Sequence, residues 1–409
     1  MFTRMIGARI PSAREGRNQL IFLVSALMQT VGSGLCAQGY VQAYLLQSGL
    51  SSASIGLYGS LSQIASVAAY LLFAFHQPKG GYLGGYITGR VLYAFYPLLL
   101  LSAGIFAGNV PLMLGAMCLA ASISGFTNAR AFACLNCMVP MLFPRKDYGL
   151  LQGRSGIIGG ILTTVLSLIA GALLSRIEAR LGYICFFTGG TVLFLLSALL
   201  APLYRLSSPL EEKGTSEKKE KAKIKWNRQL FYQMFPHFLR GIGEAGCYYF
   251  IYVSLQRITL SPLENSLLVS VAVSGNVLGC LIFTRAIRMD VKTGKVVQYG
   301  ILLSSAMLLV TTLNSNHLIF FAVYFLQQVA ATIVGQLVPV GVVRSTRTED
   351  LPIITPFRMV LINAANSTCT FLYGQLFPFL PAVCMMGFSA AAYCIAGIFF
   401  RRQFTDWAG

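Results

Sequence analysis

Between residues 110 and 142 the chain reads VPLMLGAMCLAASISGFTNARAFACLNCMVPML, a long apolar run with one charge, Arg130. A membrane-spanning helix needs about 20 mainly apolar residues at ~1.5 Å rise each, and this run exceeds that. Working outward, eleven more runs of the same kind appear. They are Leu20–Leu46, Ile55–Phe75 and Tyr86–Phe106 before it, and Tyr148–Leu174, Leu181–Tyr204, Leu230–Leu255, Leu263–Ile287, Val296–Leu313, His317–Val343, Leu351–Leu376 and Phe379–Phe400 after it. In hydrocarbon an unpaired backbone group costs several kcal/mol, so each span must satisfy its own backbone. The runs are too long and too uniformly apolar for the alternating strands of a membrane barrel. The expected fold is all-α: twelve transmembrane helices in two six-helix bundles.

Composition agrees. The 409 residues are 56% hydrophobic and 11% charged, with a mean hydropathy of +0.67. A soluble domain carries roughly 25% charged residues to wet its surface. The ten cysteines lie inside apolar runs, where cysteine acts as a small hydrophobe. Cys134 and Cys137 form a C-x-x-C without a second pair or a nearby histidine, so neither a zinc site nor a disulfide framework is expected. His76, His237 and His317 are not grouped with other metal-binding residues, and no phosphate-cradling G-x-x-x-x-G-K-[ST] loop is present. No cofactor is expected.

The net charge of +18 does not call for nucleic acid, because the basic residues are scattered between apolar runs rather than gathered on one face. With the N-terminus inside, the inside segments collect nearly all of them, from Arg4, Arg9, Arg14 and Arg17 to Arg401 and Arg402. Lys79 and Arg90 are counted with the segment between the second and third runs. The outside segments hold only Arg176, Arg180 and Arg257. This obeys the positive-inside rule and places both termini in the cytoplasm, in a plasma membrane. The basic N-terminus and the apolar run after it resemble a secretory signal, but the run is too long and lacks a cleavage site, so it reads as a retained first span.

Residues 207–228 contain SSPLEEKGTSEKKEKAKIKW, too polar to bury a core, and read as a solvated cytoplasmic linker. They divide the chain into bundles at 1–206 and 229–409. The two parts repeat each other weakly but in order. Leu46-Gln47 followed by Leu50-Ser51 parallels Leu255-Gln256 followed by Leu260-Ser261. Leu72-Phe73 parallels Ile282-Phe283, Gly89-Arg90-Val91 parallels Gly294-Lys295-Val296, and Val139-Pro140 parallels Val338-Pro339. Duplicated bundles are common among transporters, with the binding site at the repeat interface.

Two six-helix halves, cytoplasmic termini and a charged central loop resemble the major facilitator superfamily over essentially the whole chain. The loop motif of many members, G-x-x-x-D-R-x-G-R-R, is not matched: FHQPKGGYLGGYITGR (75–90) has no acidic residue. In the second half, RAIRMDVKTGK (285–295) keeps Asp290, Gly294 and Lys295. The fifth run is glycine-rich but lacks the Gly-Pro pair of the drug–proton antiporters. The resemblance implies two bundles that rock around a central cavity lined by the first, fourth, seventh and tenth helices.

Arg130, Arg240 and Glu244 stand deep within runs. A charge in hydrocarbon costs at least ~2.5–3.5 kcal/mol on insertion scales, so such groups turn toward a polar interior. On the family layout, Arg130 and Arg240 grip one solute from opposite bundles. An arginine fork suits a carboxylate or phosphate, which points to a small polar, anionic solute. Arg240 and Glu244, four apart, share a helix face. They either neutralise each other or bind substrate and proton, with Glu244 as the proton carrier. Gln38, Asn128, Tyr248, Tyr249, Gln327 and Gln328 are expected to complete the substrate site, and Arg154 and Arg358, near helix starts, to act at a gate. The expected partners are a solute, protons and membrane lipids, for a monomer without nucleic acid. The rival readings are an exporter of amphipathic compounds and, from another class, a lipid-modifying membrane enzyme. The enzyme reading lacks a nucleophile, acid or metal cluster near an interface, and no enzyme is expected.

Overall fold

The computed structural model describes residues 13–76, 81–106, 109–142, 145–174, 179–206, 228–257, 262–288, 293–313, 316–345 and 351–403. Residues 207–227 of the expected linker, and Asp290 of the loop echo, lie outside them. Among the described residues there are fourteen α-helices and one 3-10 turn, with no strand. In chain order these are α1 (Ala13–Leu35), α2 (Gln38–Gln47), α3 (Ser52–Phe75), α4 (Gly81–Ala94), α5 (Tyr96–Ile105), α6 (Val110–Leu142), α7 (Arg145–Leu174) and α8 (Ala179–Leu200). The second part holds α9 (Arg228–Arg257), α10 (Pro262–Arg288), α11 (Thr293–Leu313), α12 (His317–Ser345), α13 (Leu351–Leu376) and α14 (Ala382–Gln403).

Each of the twelve expected runs is one helix or a broken pair of helices. The first run breaks at Cys36 and Ala37, where Ala37 is extended (φ −59°, ψ 147°). The third breaks at Phe95, and Pro97 stands in the first turn of α5, where its missing N–H costs nothing. Between α2 and α3, Gly49 takes φ +88°, which favours glycine, and Ser51 caps α3 by accepting the Ser54 N–H at 3.4 Å. Seven of the described helical stretches are long and apolar enough to cross a membrane, among them Ser52–Phe75, Val110–Val139 and Ala382–Gln403. Large apolar side chains stand exposed on the outer surface, as Ile158, Ile161, Leu162 and Val165 do on α7. Exposed apolar surface of this extent fits lipid as the solvent.

Helix packing shows a repeat more clearly than the residue matches do. In the first part α1 packs on α7 and α8, α6 on α3 and α4, and α4 on α8. In the second part α9 packs on α13 and α14, α12 on α10 and α11, and α11 on α14. Each pairing has its counterpart six spans later. Two long seams join the bundles, α3 against α13 and α7 against α10, and these also exchange under the same shift.

One end of the assembly is closed. At the end away from the termini, α2 packs on α9 and α10. Gln38 and Gln42 donate from Nε2 to the Tyr248 carbonyl at 3.2 and 3.4 Å. Tyr248 and Tyr249 donate their hydroxyls back, to the carbonyls of Ile55 (3.2 Å) and Ser52 (2.9 Å). Further along the α3–α13 seam, Ser60 and Ser367 share a hydrogen bond at 3.1 Å. At the termini end no comparable packing joins α6 or α7 to α12 among the described residues. On that side the space between the halves runs along Phe22, Leu135 and Gln336, while α3 and α6 still pack on α13.

Candidate functional site

Between the bundles lies a cavity of about 950 Å³. Its walls come from both halves. The first half supplies Gln29 and Ser33 of α1, Tyr86, Arg90 and Tyr93 of α4, and Asn128 and Phe132 of α6. The second half supplies Glu244, Cys247 and Tyr248 of α9, Asn276 of α10, and Tyr324, Gln327 and Gln328 of α12.

On the wall of the second half, Arg240 donates from Nε to Glu244 Oε1 at 2.7 Å. This geometry matches mutual neutralisation, one of the two readings left open for the pair. The charges are neutralised, and Glu244 still lines the cavity with its side chain 28% exposed against 14% for Arg240. Beside them Gln327 donates to the Cys247 sulfur at 3.0 Å, and Gln328 donates to Gln327 Oε1 at 3.0 Å. Thr332 donates to Asn276 Oδ1 at 2.6 Å. This wall is an internally bonded strip of amides around one carboxylate.

On the opposite wall, Arg90 is 9% exposed. Its guanidinium donates from Nη1 to Asn128 Oδ1 at 3.3 Å and lies over the Tyr86 ring, 5.4 Å from the centroid. Its Nε has no partner. The Tyr204 hydroxyl, also buried and on the cavity wall, has none either. Gln29 donates to Ser197 Oγ at 2.9 Å and to the Tyr86 hydroxyl at 3.4 Å, bracing the same region. Among the described residues no carboxylate pairs with Arg90.

The structure sorts the expected site residues into three groups. Gln38, Asn128, Glu244, Tyr248, Gln327 and Gln328 line the cavity, and Arg240 reaches it through Glu244. Tyr249 does not: it is fully buried, bonded to Ser52 and packed against Tyr373 at the closed end. Arg130 does not either, so the expected two-arginine grip is not formed. Asn128, Phe132 and Leu135 define the cavity face of α6. Two residues of helix turn Arg130 about 200° from Asn128. Arg154 is half-buried in α7, off the cavity wall. Arg358 differs from a residue reaching for the interface. It is 5% exposed within α13, with Nε and Nη1 unpartnered, and lies in electrostatic range of Arg240, Glu244 and Tyr70.

Arg90 is the cavity residue that sequence reasoning assigned elsewhere. Counting it with a loop followed from the glycine-rich GGYLGGYITGR, yet residues 81–90 of it are already helix, so Arg90 lies well inside α4. Its repeat partner Lys295 sits exposed in the first turn of α11. The signal that was available is the unbroken passage from Tyr86 through Arg90 into the apolar LYAFYPLLLL.

The sequence profile of the Major Facilitator Superfamily matches residues 20–355. The chain belongs to the Major Facilitator Superfamily. It is thus an integral membrane protein with a transporter fold. Solved structures of the superfamily superpose over nearly its whole length. The Escherichia coli xylose transporter XylE, in an inward-open conformation, matches with a TM-score of 0.68 and 12% identity over 95% of this chain and 95% of that one. The human organic anion transporter MFSD10 matches with 0.65 and 11%, over 95% and 100%. The E. coli fucose:proton symporter FucP matches with 0.63 and 15%, over 95% and 98%. At such identities the likeness is one of fold. Comparison with curated protein sequences gives no match.

Proposed function

We propose that this superfamily member is a secondary active transporter of a small polar, anionic organic solute, working by alternating access. The observation that carries the proposal is the polar cavity between the bundles, bonded shut at the end away from the termini. A solute held there faces one side of the membrane, and rocking along the α3–α13 and α7–α10 seams would expose it to the other. The charges favour an anion: Arg240 is balanced by Glu244, and Arg90 is balanced by no carboxylate among the described residues. Glu244, on the cavity wall and bonded to one arginine, is the group through which a proton is coupled. Gln38, Asn128, Tyr248, Gln327 and Gln328 provide the remaining hydrogen bonds to solute. The positive-inside distribution supports termini in the cytoplasm, in a plasma membrane. The chain works as a monomer, and it is not an enzyme.

The test is uptake by proteoliposomes holding the purified chain, with a panel of organic acids, sugars, amino acids and dyes, with and without a pH gradient. Accumulation of an acid supports the proposal. Carriage of sugars or dyes alone overturns the anionic class, and no carriage of any class overturns the transport reading. Carriage of dyes alone would instead suit an exporter of amphipathic compounds, a reading that the aromatic wall of Phe22, Tyr93, Phe132 and Phe194 keeps in view.

A further inference from the structure

A second hollow, of about 620 Å³, lies behind the α7–α10 seam where α12 joins it. Its walls include Leu168 of α7, Leu267 and Val271 of α10, and Phe321 and Phe325 of α12, so both halves contribute. Two stripes of residues four apart, each on one helix face, account for it. On α7, Gly156 and Gly160 give way to Thr164 and Leu168. On α10, which runs the other way, Gly279 and Gly275 give way to Val271 and Leu267. The glycines mark close approach: a Cβ on Gly160 would run into Val277 of α10, and one on Gly275 would meet the Phe325 carbonyl of α12 at 2.7 Å. The Thr164 and Ser274 hydroxyls still meet across the seam at 3.4 Å. Beyond that level the larger side chains hold the three helices apart.

The hollow opens on the lipid face, not on the central cavity. Leu168, Leu267 and Leu326 on its walls are 46%, 38% and 41% exposed, and they continue the outer apolar surface of Ile161, Leu162 and Val165. Leu268, Val269 and Tyr324, on other faces of the same helices, line the central cavity instead. Leu168 stands about 9 Å inside the end of α7 at Leu174, at the depth of hydrocarbon.

The walls narrow the occupant. They carry no charged side chain. Thr164 donates to the Gly160 carbonyl and Ser270 to the Ser266 carbonyl, both at 3.0 Å, so these hydroxyls already have acceptors. Water needs two to four polar partners and is not held by such a surface. Left empty, the walls would forfeit their dispersion contacts. Inside a bilayer packing, rather than the hydrophobic effect, decides what fills a gap. The material at the mouth is hydrocarbon chain, flexible enough to follow the space between the helices.

We propose that this hollow binds one acyl chain of a membrane phospholipid, seated between α7 and the α10–α12 pair in the leaflet away from the termini. The site is separate from the central cavity and does not rest on what that cavity carries.

The experiment places the purified full-length chain in dioleoylphosphatidylcholine vesicles with a trace of phosphatidylcholine bearing a diazirine at mid-chain, and maps the photolabel by mass spectrometry. Labelling of Leu267, Phe321 and Phe325 is expected to exceed that of Ile161, on the open lipid face of α7, by about tenfold, the ratio that ~1.4 kcal/mol of added contact gives. Ala322→Trp fills the hollow from its wall and should bring the excess down to the Ile161 level, with Ile161 itself labelled as before. The methyl branches of diphytanoyl chains pack poorly in a narrow space, so a diphytanoylphosphatidylcholine host should compete less and raise the excess in the wild type. Should Ala322→Trp fail to fold, the comparison of hosts decides the matter. Equal labelling of the walls and Ile161, an excess moved by neither the variant nor the host, or stronger labelling of the walls by a diazirine-bearing cholesterol would each overturn the inference. Solute uptake by the same vesicles is read separately, and its absence would count against the transport reading alone.

Discussion

Arg240 and Glu244 neutralise each other at 2.7 Å, and removing either partner leaves the other unbalanced in a mostly apolar bundle. Breaking a fully buried pair costs about 3–5 kcal/mol; the exposure of Glu244 to the cavity lowers the expected loss for Arg240→Gln to about 2 kcal/mol. The double variant Arg240→Gln/Glu244→Gln should recover most of that stability, as read from thermal unfolding, and yet remain defective in proton-driven uptake. A double variant as unstable as the single one would show that the pair is not the source of the loss. Arg130 offers the contrasting case. Because it points away from Asn128, Arg130→Gln should leave the apparent affinity for the transported solute within about twofold of the wild type. A loss of about tenfold or more would return Arg130 to the site. This residue shows why depth was legible and direction was not. Counting 1.5 Å per residue places Arg130 near mid-membrane, but α6 has lipid and protein on different sides, both apolar. Its sequence therefore lacks the polar stripe that marks orientation in a soluble helix. Tyr249 was misplaced for a related reason: a tyrosine serves a solute and a neighbouring carbonyl equally well, and only packing decides.

At the level of the helix, segments were legible because lipid forces every span to close its own hydrogen bonds. The breaks were less so. Leu20–Leu46 reads as one run, and nothing in Cys36-Ala37 announces the change to extended backbone that separates α1 from α2. What makes the α3–α13 seam possible is small residues at the contact. A Cβ on Gly56 would meet the Tyr249 hydroxyl at 2.7 Å, Gly374 Cα at 2.9 Å and the Thr370 carbonyl at 3.0 Å. Two of those atoms are backbone and have little freedom to retreat. Gly56→Val is therefore expected to hold the closed end apart. Labelling of a cysteine introduced at Gln42 should become at least about tenfold faster than in the Gly56 parent, a change of ~1.4 kcal/mol in the opening equilibrium. Unchanged labelling would mean that the seam tolerates the added bulk.

For the whole molecule, the six-span shift relates the halves about an axis running from one end to the other, so it maps the closed end onto itself and leaves the other end to close through different contacts. The structure shows α2 on α9 and α10; the alternate state would bring α6 and α7 toward α12. A flexible bis-maleimide linker between cysteines at Gln42 and Tyr249, in a background without the native cysteines, should abolish uptake, and a cleavable version should restore it on reduction. Full transport in the linked protein would rule out rocking of the bundles. The lock at this end has a further property. Gln38, Gln42, Tyr248 and Tyr249 all donate to main-chain oxygens, which no substitution can delete. Half of the latch is thus immune to mutation, while the other half is four separable side chains. Evolution could lengthen or shorten the dwell time of the shut state through Gln42 and Tyr249, which lie off the cavity wall, and so adjust turnover without touching what the protein carries.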